Sequence, residues 1–166
     1  MAPYILNEED WDRLREIRLA ALRESPTAFL STYSEELTYQ EREWRAEFAR
    51  GEWIIEVRNN EAIALVGVTR EQDAPPDECY LEYLWVSPGF RRRGVATALV
   101  KNVLRRLLNL GFAAARLWVL DGNESAKHFY QKCGFSSTAT IQRPDQDPSR
   151  SEELLRLSLH ERHGCS

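Results

Sequence analysis

Apolar residues recur at helical spacing from Trp11 through Leu14, Ile17, Ala21 and Leu22, which predicts an amphipathic helix. Asn7 is placed to cap it, Glu8, Glu9 and Asp10 set negative charge at its positive end, and Ser25-Pro26 stops it. Residues 3–6 (PYIL) ahead of it are predicted as a short strand. After a polar stretch, Thr38-Tyr-Gln-Glu41 matches a capping box, and Trp44, Glu47 and Phe48 follow on a second helix closed by Gly51. The pattern then becomes β-rich: residues 53–57 and 62–69 flank Asn59-Asn60 as a hairpin, and 79–86 is a third, nearly all-apolar strand after a loop over 71–77. Val95, Leu99, Val103 and Leu107 share one face of a helix over 95–109, which Gly111 closes. A strand over 115–120, a short helix over 125–132 stopped by Gly134, and strands over 135–141 and 154–159 complete the pattern, the last two separated by the polar loop RPDQDPSR.

The strand, helix, strand order between residues 80 and 120 demands a parallel pair with a right-handed crossover, whereas the hairpins are antiparallel. The predicted class is therefore α/β, with an α+β mixed sheet. At 166 residues the chain fits one domain, and 43% hydrophobic with 29% charged residues is a globular balance. A net charge of -4 argues against a generic basic face for nucleic acid, so any anion site must be local. With no run of about 18 apolar residues and no signal-peptide core, the expectation is no membrane span and a cytoplasmic chain. Cys79, Cys133 and Cys165 are odd in number and far apart, so reduced thiols are expected rather than disulfides or a zinc site. His160 and His163 lie in the polar stretch LHERHGCS and read as solvated, and no metal is expected.

Against this acidic background, WVSPGFRRRGVAT (residues 85–97) sets three arginines before a glycine at a strand-to-helix junction. Such a loop presents main-chain N–H groups that lack helical partners, at the positive end of the helix dipole, and so forms an anion pocket. Gly94 and Ala96 are small enough for a phosphate to approach the backbone. Neither GxxxxGK[ST] nor GxGxxG is present, which argues against ATP and NAD. The alternative for Arg91, Arg92 and Arg93 is a solvated turn.

Val86-Ser-Pro-Gly-Phe-Arg91-Arg-Arg-Gly94-Val-Ala96 resembles the acetyl-CoA signature R/Q-x-x-G-x-G/A of the Gcn5-related N-acetyltransferase (GNAT) superfamily, which follows a strand ending in V-x-P. Asn123-Glu-Ser-Ala126-Lys-His-Phe129-Tyr130-Gln-Lys-Cys-Gly134-Phe135 is similar to that family's second motif, and the layout from Pro3 to Leu159 fits the fold. The resemblance implies a GNAT acyl-CoA N-acyltransferase fold: a central mixed sheet flanked by helices with a splayed parallel strand pair, in a single N-acetyltransferase domain over residues 1–166. It implies acetyl-CoA as cosubstrate and direct transfer to a primary amine of a small molecule or peptide, with a homodimer left open. By the resemblance, the amides of Arg91, Arg92, Arg93, Gly94, Val95, Ala96 and Thr97 cradle the coenzyme diphosphate. The pantetheine arm lies along Leu84, Trp85 and Val86 as an added strand. Asn123, Ala126 and Phe129 belong to the second motif on the coenzyme side, and Asn123 also reads as a plain helix N-cap.

Transfer from a thioester leaves a thiolate that needs a proton. A tyrosine of pKa near 10 donates to a thiol near 8.5 at about 2 kcal/mol uphill, so Tyr130 fits as general acid; the alternative is packing beside Phe129. Glu82 is the candidate base. With Tyr80, Leu84 and Val86 it falls on one strand face, with Leu81, Tyr83 and Trp85 on the other. A glutamate near 4.3 taking a proton from an ammonium near 10.4 faces about 8 kcal/mol, which requires burial or a water relay. The alternative for Glu82 is a salt bridge to an arginine such as Arg116. The acceptor side is expected on the two N-terminal helices, on the connection over 25–37 and on the segment over 144–150. Glu35, Glu36, Glu41 and Glu43 either attract a cationic amine there or form a solvated face, and Trp11, Trp44 and Trp53 are read as core. The alternative function is a noncatalytic coenzyme A binding or sensing module.

Overall fold

A computed structural model describes residues 3–160, so His163 and Cys165 lie outside the described residues. The strands β1 (Tyr4–Ile5), β2 (Gly51–Arg58), β3 (Glu61–Thr69), β4 (Glu78–Val86), β5 (Ala114–Leu120), β6 (Ser136–Gln142) and β7 (Glu152–Ser158) hydrogen-bond in the order β1-β2-β3-β4-β5-β7-β6, a seven-stranded mixed sheet. In it β4 runs parallel to β5, while β1–β2, β2–β3, β5–β7 and β6–β7 are antiparallel. Contacts divide the chain into two compact units, one running to Thr69 and resuming over Glu82–Leu99, the other comprising Arg70–Leu81 and the chain from Val100 onward.

The first unit contains β1 (Tyr4–Ile5), α1 (Trp11–Glu24), α2 (Tyr33–Leu37), α3 (Glu41–Arg50), β2 (Gly51–Arg58), β3 (Glu61–Thr69), the second half of β4 (Glu78–Val86) and the start of α4 (Val95–Asn109). The periodic face of α1 buries Leu14, Ile17 and Ala21 against Trp44, Trp53 and Leu65, which form one core, with Trp11 packed partly buried at its side. Gly51 has extended backbone at the α3–β2 junction. It is needed for close approach, since a Cβ there would stand 2.0 Å from the Val68 carbonyl oxygen of β3.

The capping box expected at Thr38–Glu41 is not formed. The same pattern at Thr32–Glu35 opens α2 instead: the Glu35 N–H donates to Thr32 Oγ1 at 3.2 Å, and the Thr32 N–H to Glu35 Oε2 at 3.0 Å. Thr38 is consequently the C-cap of α2, and α3 begins after Gln40, whose N–H donates to Glu43 Oε2 at 2.8 Å. The reason is tertiary, because a helical turn over Tyr33–Leu37 carries Glu36 inward to a buried ion pair with Arg18.

The second unit contains the first half of β4, most of α4, β5 (Ala114–Leu120), α5 (Glu124–Lys132), β6 (Ser136–Gln142) and β7 (Glu152–Ser158). Val103, Leu107, Leu117, Leu155 and Leu157 are buried in it. The parallel pairing joins Glu78–Tyr80 to Ala114–Arg116, while β5 pairs with β7 along its whole length. Buried Glu78 sits between the guanidinium groups of Arg116 and Arg156, at 2.8 and 2.7 Å. Strand β6 is exposed throughout and bulged between Ser137 and Ile141.

Candidate active site

In the first unit the anion loop grows from the end of β4. The Ser87 N–H donates to the Ile63 carbonyl at 2.8 Å, which fixes the strand end, and a single 3-10 turn over Pro88–Phe90 follows. Arg92 and Gly94 then take left-handed backbone, with φ of 59° and 77°. Left-handed residues of this kind recur in main-chain anion nests. Helical bonding in α4 opens with the Ala98 N–H on the Gly94 carbonyl at 2.9 Å, so Val95, Ala96 and Thr97 occupy the first turn, whose amides have no carbonyl one turn back. No atom lies within 4 Å of where a Gly94 Cβ would be, so the loop face is open there. The loop therefore leaves room for a ligand at Gly94 and at the first turn of α4.

Arg91 stands apart from its two neighbours. Its N–H bonds the Pro88 carbonyl at 3.3 Å, its Nε donates to the Val86 carbonyl at 2.8 Å, and its two terminal nitrogens reach the Glu24 carboxylate. Arg92 and Arg93 are exposed, and the Arg93 guanidinium lies 5.9 Å from the centre of the Phe90 ring.

Along β4, Leu84 is partly exposed while Trp85 and Val86 are buried. The even alternation of faces expected from Tyr80 to Val86 does not run through the strand. Tyr83 has left-handed backbone, φ 55°, which breaks the pleat at the centre of the predicted site. Its phenol donates to Glu36 Oε1 at 2.9 Å and accepts from Arg18 Nη2 at 3.1 Å, and its ring stacks on Phe29 at 5.2 Å. Glu82, the candidate base, is three-quarters buried and lies 3.6 Å from Arg50. The alternative reading of Glu82, a salt bridge to an arginine, is met by Arg50, whereas Arg116 pairs with Glu78. Arg50 also binds Glu47 at 3.1 Å, and Glu47 binds Arg18 at 2.8 Å, so an alternating row of charges runs from Glu82 to buried Glu36.

The other acidic residues expected on the acceptor side are engaged locally. Glu35 caps α2, Glu41 binds Arg45 at 2.7 Å and Glu43 binds Arg42 at 2.7 Å. Glu36 is fully buried and so belongs to neither a solvated face nor an open cation trap.

In the second unit Asn123 caps α5, its Oδ1 accepting from the Ala126 N–H at 3.3 Å. Tyr130 is partly exposed on this helix and meets Phe129 and Phe135 edge-on at 5.2 and 5.7 Å. Burial, with a smaller contribution from Cys133, pushes its phenol well above the usual tyrosine value, so it is protonated at neutral pH. A raised phenol is a weaker proton donor than the ordinary tyrosine value of about 10 implies.

Sequence reasoning missed Glu24 and Tyr83. Glu24 carried a signal, being an acid on the last residue of α1, where the helix dipole disfavours negative charge. Left-handed backbone at a tyrosine inside an apolar strand carried none.

The model for a family described as acetyltransferase (GNAT) matches residues 11–135. A mycothiol acetyltransferase from Propionibacterium freudenreichii is 36% identical over 89 residues, covering 51% of this chain and 28% of that protein. A thialysine N-epsilon-acetyltransferase from Mus musculus is 40% identical over 55 residues, covering 33% of this chain and 32% of that protein. The chain thus spans less than a third of the length of these curated relatives. The crystal structure of a GNAT-family acetyltransferase from Streptococcus pneumoniae has the same fold, with a TM-score of 0.73 at 17% identity, covering 94% of this chain and 98% of that one.

Proposed function

Since this chain belongs to the acetyltransferase (GNAT) family, we propose that it moves acetyl from acetyl-CoA directly to a primary amine of a small molecule or peptide. The observation that carries the reading is the pair of left-handed residues, Arg92 and Gly94, set between the end of β4 and the open first turn of α4. The name of the thialysine relative supports an amine acceptor. In this reading residues 1–166 work as one N-acetyltransferase domain in the cytoplasm, without a metal. Among the described residues no helix is long and apolar enough to cross a membrane.

The amides from Arg92 to Thr97 hold the diphosphate, and Leu84 to Val86 offer main-chain groups to the pantetheine arm. Asn123, Ala126 and Phe129 shape the coenzyme side of α5. The amine nitrogen attacks the thioester carbonyl, the C–N bond forms and the C–S bond breaks. A main-chain N–H of Leu84 to Val86 stabilises the developing oxyanion. Tyr130 donates its phenolic proton to the departing sulfur, and the proton that the new amide nitrogen sheds restores the phenol through water. A lysine-like amine costs about 4 to 5 kcal/mol to present neutral at pH 7, and Glu82 accepts its proton through water.

The test is thiol release from acetyl-CoA with a panel of primary amines. Amine-dependent release supports the reading. Tight coenzyme binding without release for every acceptor makes the protein a noncatalytic coenzyme module, and salt-sensitive binding to DNA or RNA in place of the coenzyme refutes both.

A further inference from the structure

We propose that Glu24 is a positioning residue for the diphosphate loop: its carboxylate grips the Arg91 guanidinium, so that Arg91 braces the loop and does not itself bind phosphate. The inference rests on the reading of that loop as the coenzyme site. Arg91 is committed at three points before the chain turns left-handed at Arg92. Its N–H is on Pro88, its Nε on the Val86 carbonyl at 2.8 Å, and its fork on Glu24, with Nη1 to Oε1 at 3.1 Å. The result is a ring that runs from the end of β4 through the 3-10 turn and back to Val86. Its outer side is closed from α1.

Glu24 is itself held in place. Its Oε2 accepts from Trp85 Nε1 at 3.0 Å and from the Ser25 hydroxyl, so β4, α1 and the loop meet at one carboxylate. An acid at the C-terminal end of a helix works against the helix dipole, and its placement there is offset by the two-pronged bond to Arg91. A planar guanidinium bound on both edges suits a brace, and every edge it gives to Glu24 and Val86 is withdrawn from phosphate.

Simple electrostatics and positioning predict opposite outcomes, because removing a negative charge beside an anion site strengthens anion binding unless that charge holds the site in shape. Calorimetric titration of coenzyme A into the full chain is the measurement. Glu24→Gln is expected to weaken coenzyme A about tenfold. Arg91→Lys keeps the positive charge but loses the Nε bond and the fork, and is expected to weaken it to a similar degree. Pantetheine, which lacks the diphosphate, should bind wild type and both variants alike. Unchanged or tighter coenzyme A binding by Glu24→Gln overturns the proposal, and so does full retention by Arg91→Lys, which stands alone as the test if Glu24→Gln does not fold. If wild type binds no coenzyme A, the reading of the loop fails and this inference fails with it; if only the variants depart from expectation, that reading stands.

Discussion

The Tyr83 phenol donates to Glu36 Oε1 at 2.9 Å, joining the left-handed residue of β4 to a carboxylate with no solvent exposure. Arg18 completes the cluster: it pairs with Glu36 and lies 5.3, 5.0 and 4.3 Å from the ring centres of Trp44, Trp53 and Tyr83. Glu36→Gln leaves the buried guanidinium with Glu47 as its remaining carboxylate partner. Breaking a buried pair from one side costs about 3 kcal/mol, to be read as a lower urea midpoint at unchanged m-value. A loss below about 1 kcal/mol would show that Glu47 suffices.

Glu24 should also govern acid stability. Burial pushes its carboxyl up, but hydrogen bonds from Arg91, Ser25 and Trp85 outweigh this and hold it down to about 2, against an ordinary 4.5. A carboxylate depressed in the folded state stabilises the fold above its unfolded value, and that stabilisation is lost as pH falls toward the folded value. The stability advantage of wild type over Glu24→Gln should therefore be constant near neutrality and shrink between about 4.5 and 2. A difference that does not change across that window would mean the pair is not held in solution.

Tyr130→Phe should reduce turnover about a hundredfold while coenzyme affinity is unchanged, because only the proton donor is removed. Since burial raises the phenol, loss of its proton should not limit wild-type activity anywhere below the ordinary tyrosine value of 10.0. Equal turnover in the variant would leave Tyr130 with its packing role on Phe129 and Phe135 alone.

Two glycines should respond differently to substitution. Gly51→Ala places a methyl 2.0 Å from the Val68 carbonyl oxygen, within a β2–β3 pair that cannot part cheaply, and should cost about 3 kcal/mol in thermal or urea unfolding. Gly94→Ala meets no atom within 4 Å but carries φ of 77°, so the expected cost is the left-handed penalty of about 1 kcal/mol. Gly94→Glu should fold and fail to bind coenzyme A in calorimetry, since it sets a negative side chain at the loop face. Normal binding would remove the loop from the site.

Local order was readable from the chain alone wherever it depends on neighbours a few residues apart. Val95, Leu99, Val103 and Leu107 are all buried, as their helical spacing requires. Asn123 caps α5 because an asparagine ahead of a helix reaches its own first turn. The arginine loop was legible for the same reason, since a glycine behind a strand and ahead of a helix needs no distant partner to expose amides. The choice among competing caps was not legible: Thr32–Glu35 and Thr38–Glu41 carry the same pattern, and burial of Glu36 on Arg18 selected the first.

The sequence by itself determined the two motifs, the family and the order of strands and helices apart from α2, because these follow from periodicity and from backbone groups acting over a few residues. Only the tertiary structure decided that Tyr83 turns left-handed, that Glu82 faces Arg50 rather than Arg116, and that Glu24 meets Arg91 across 67 residues of chain. Charge pairs of that kind have no local signature, because the free energy that forms them appears when packing removes both partners from water and leaves each the other's best replacement for it.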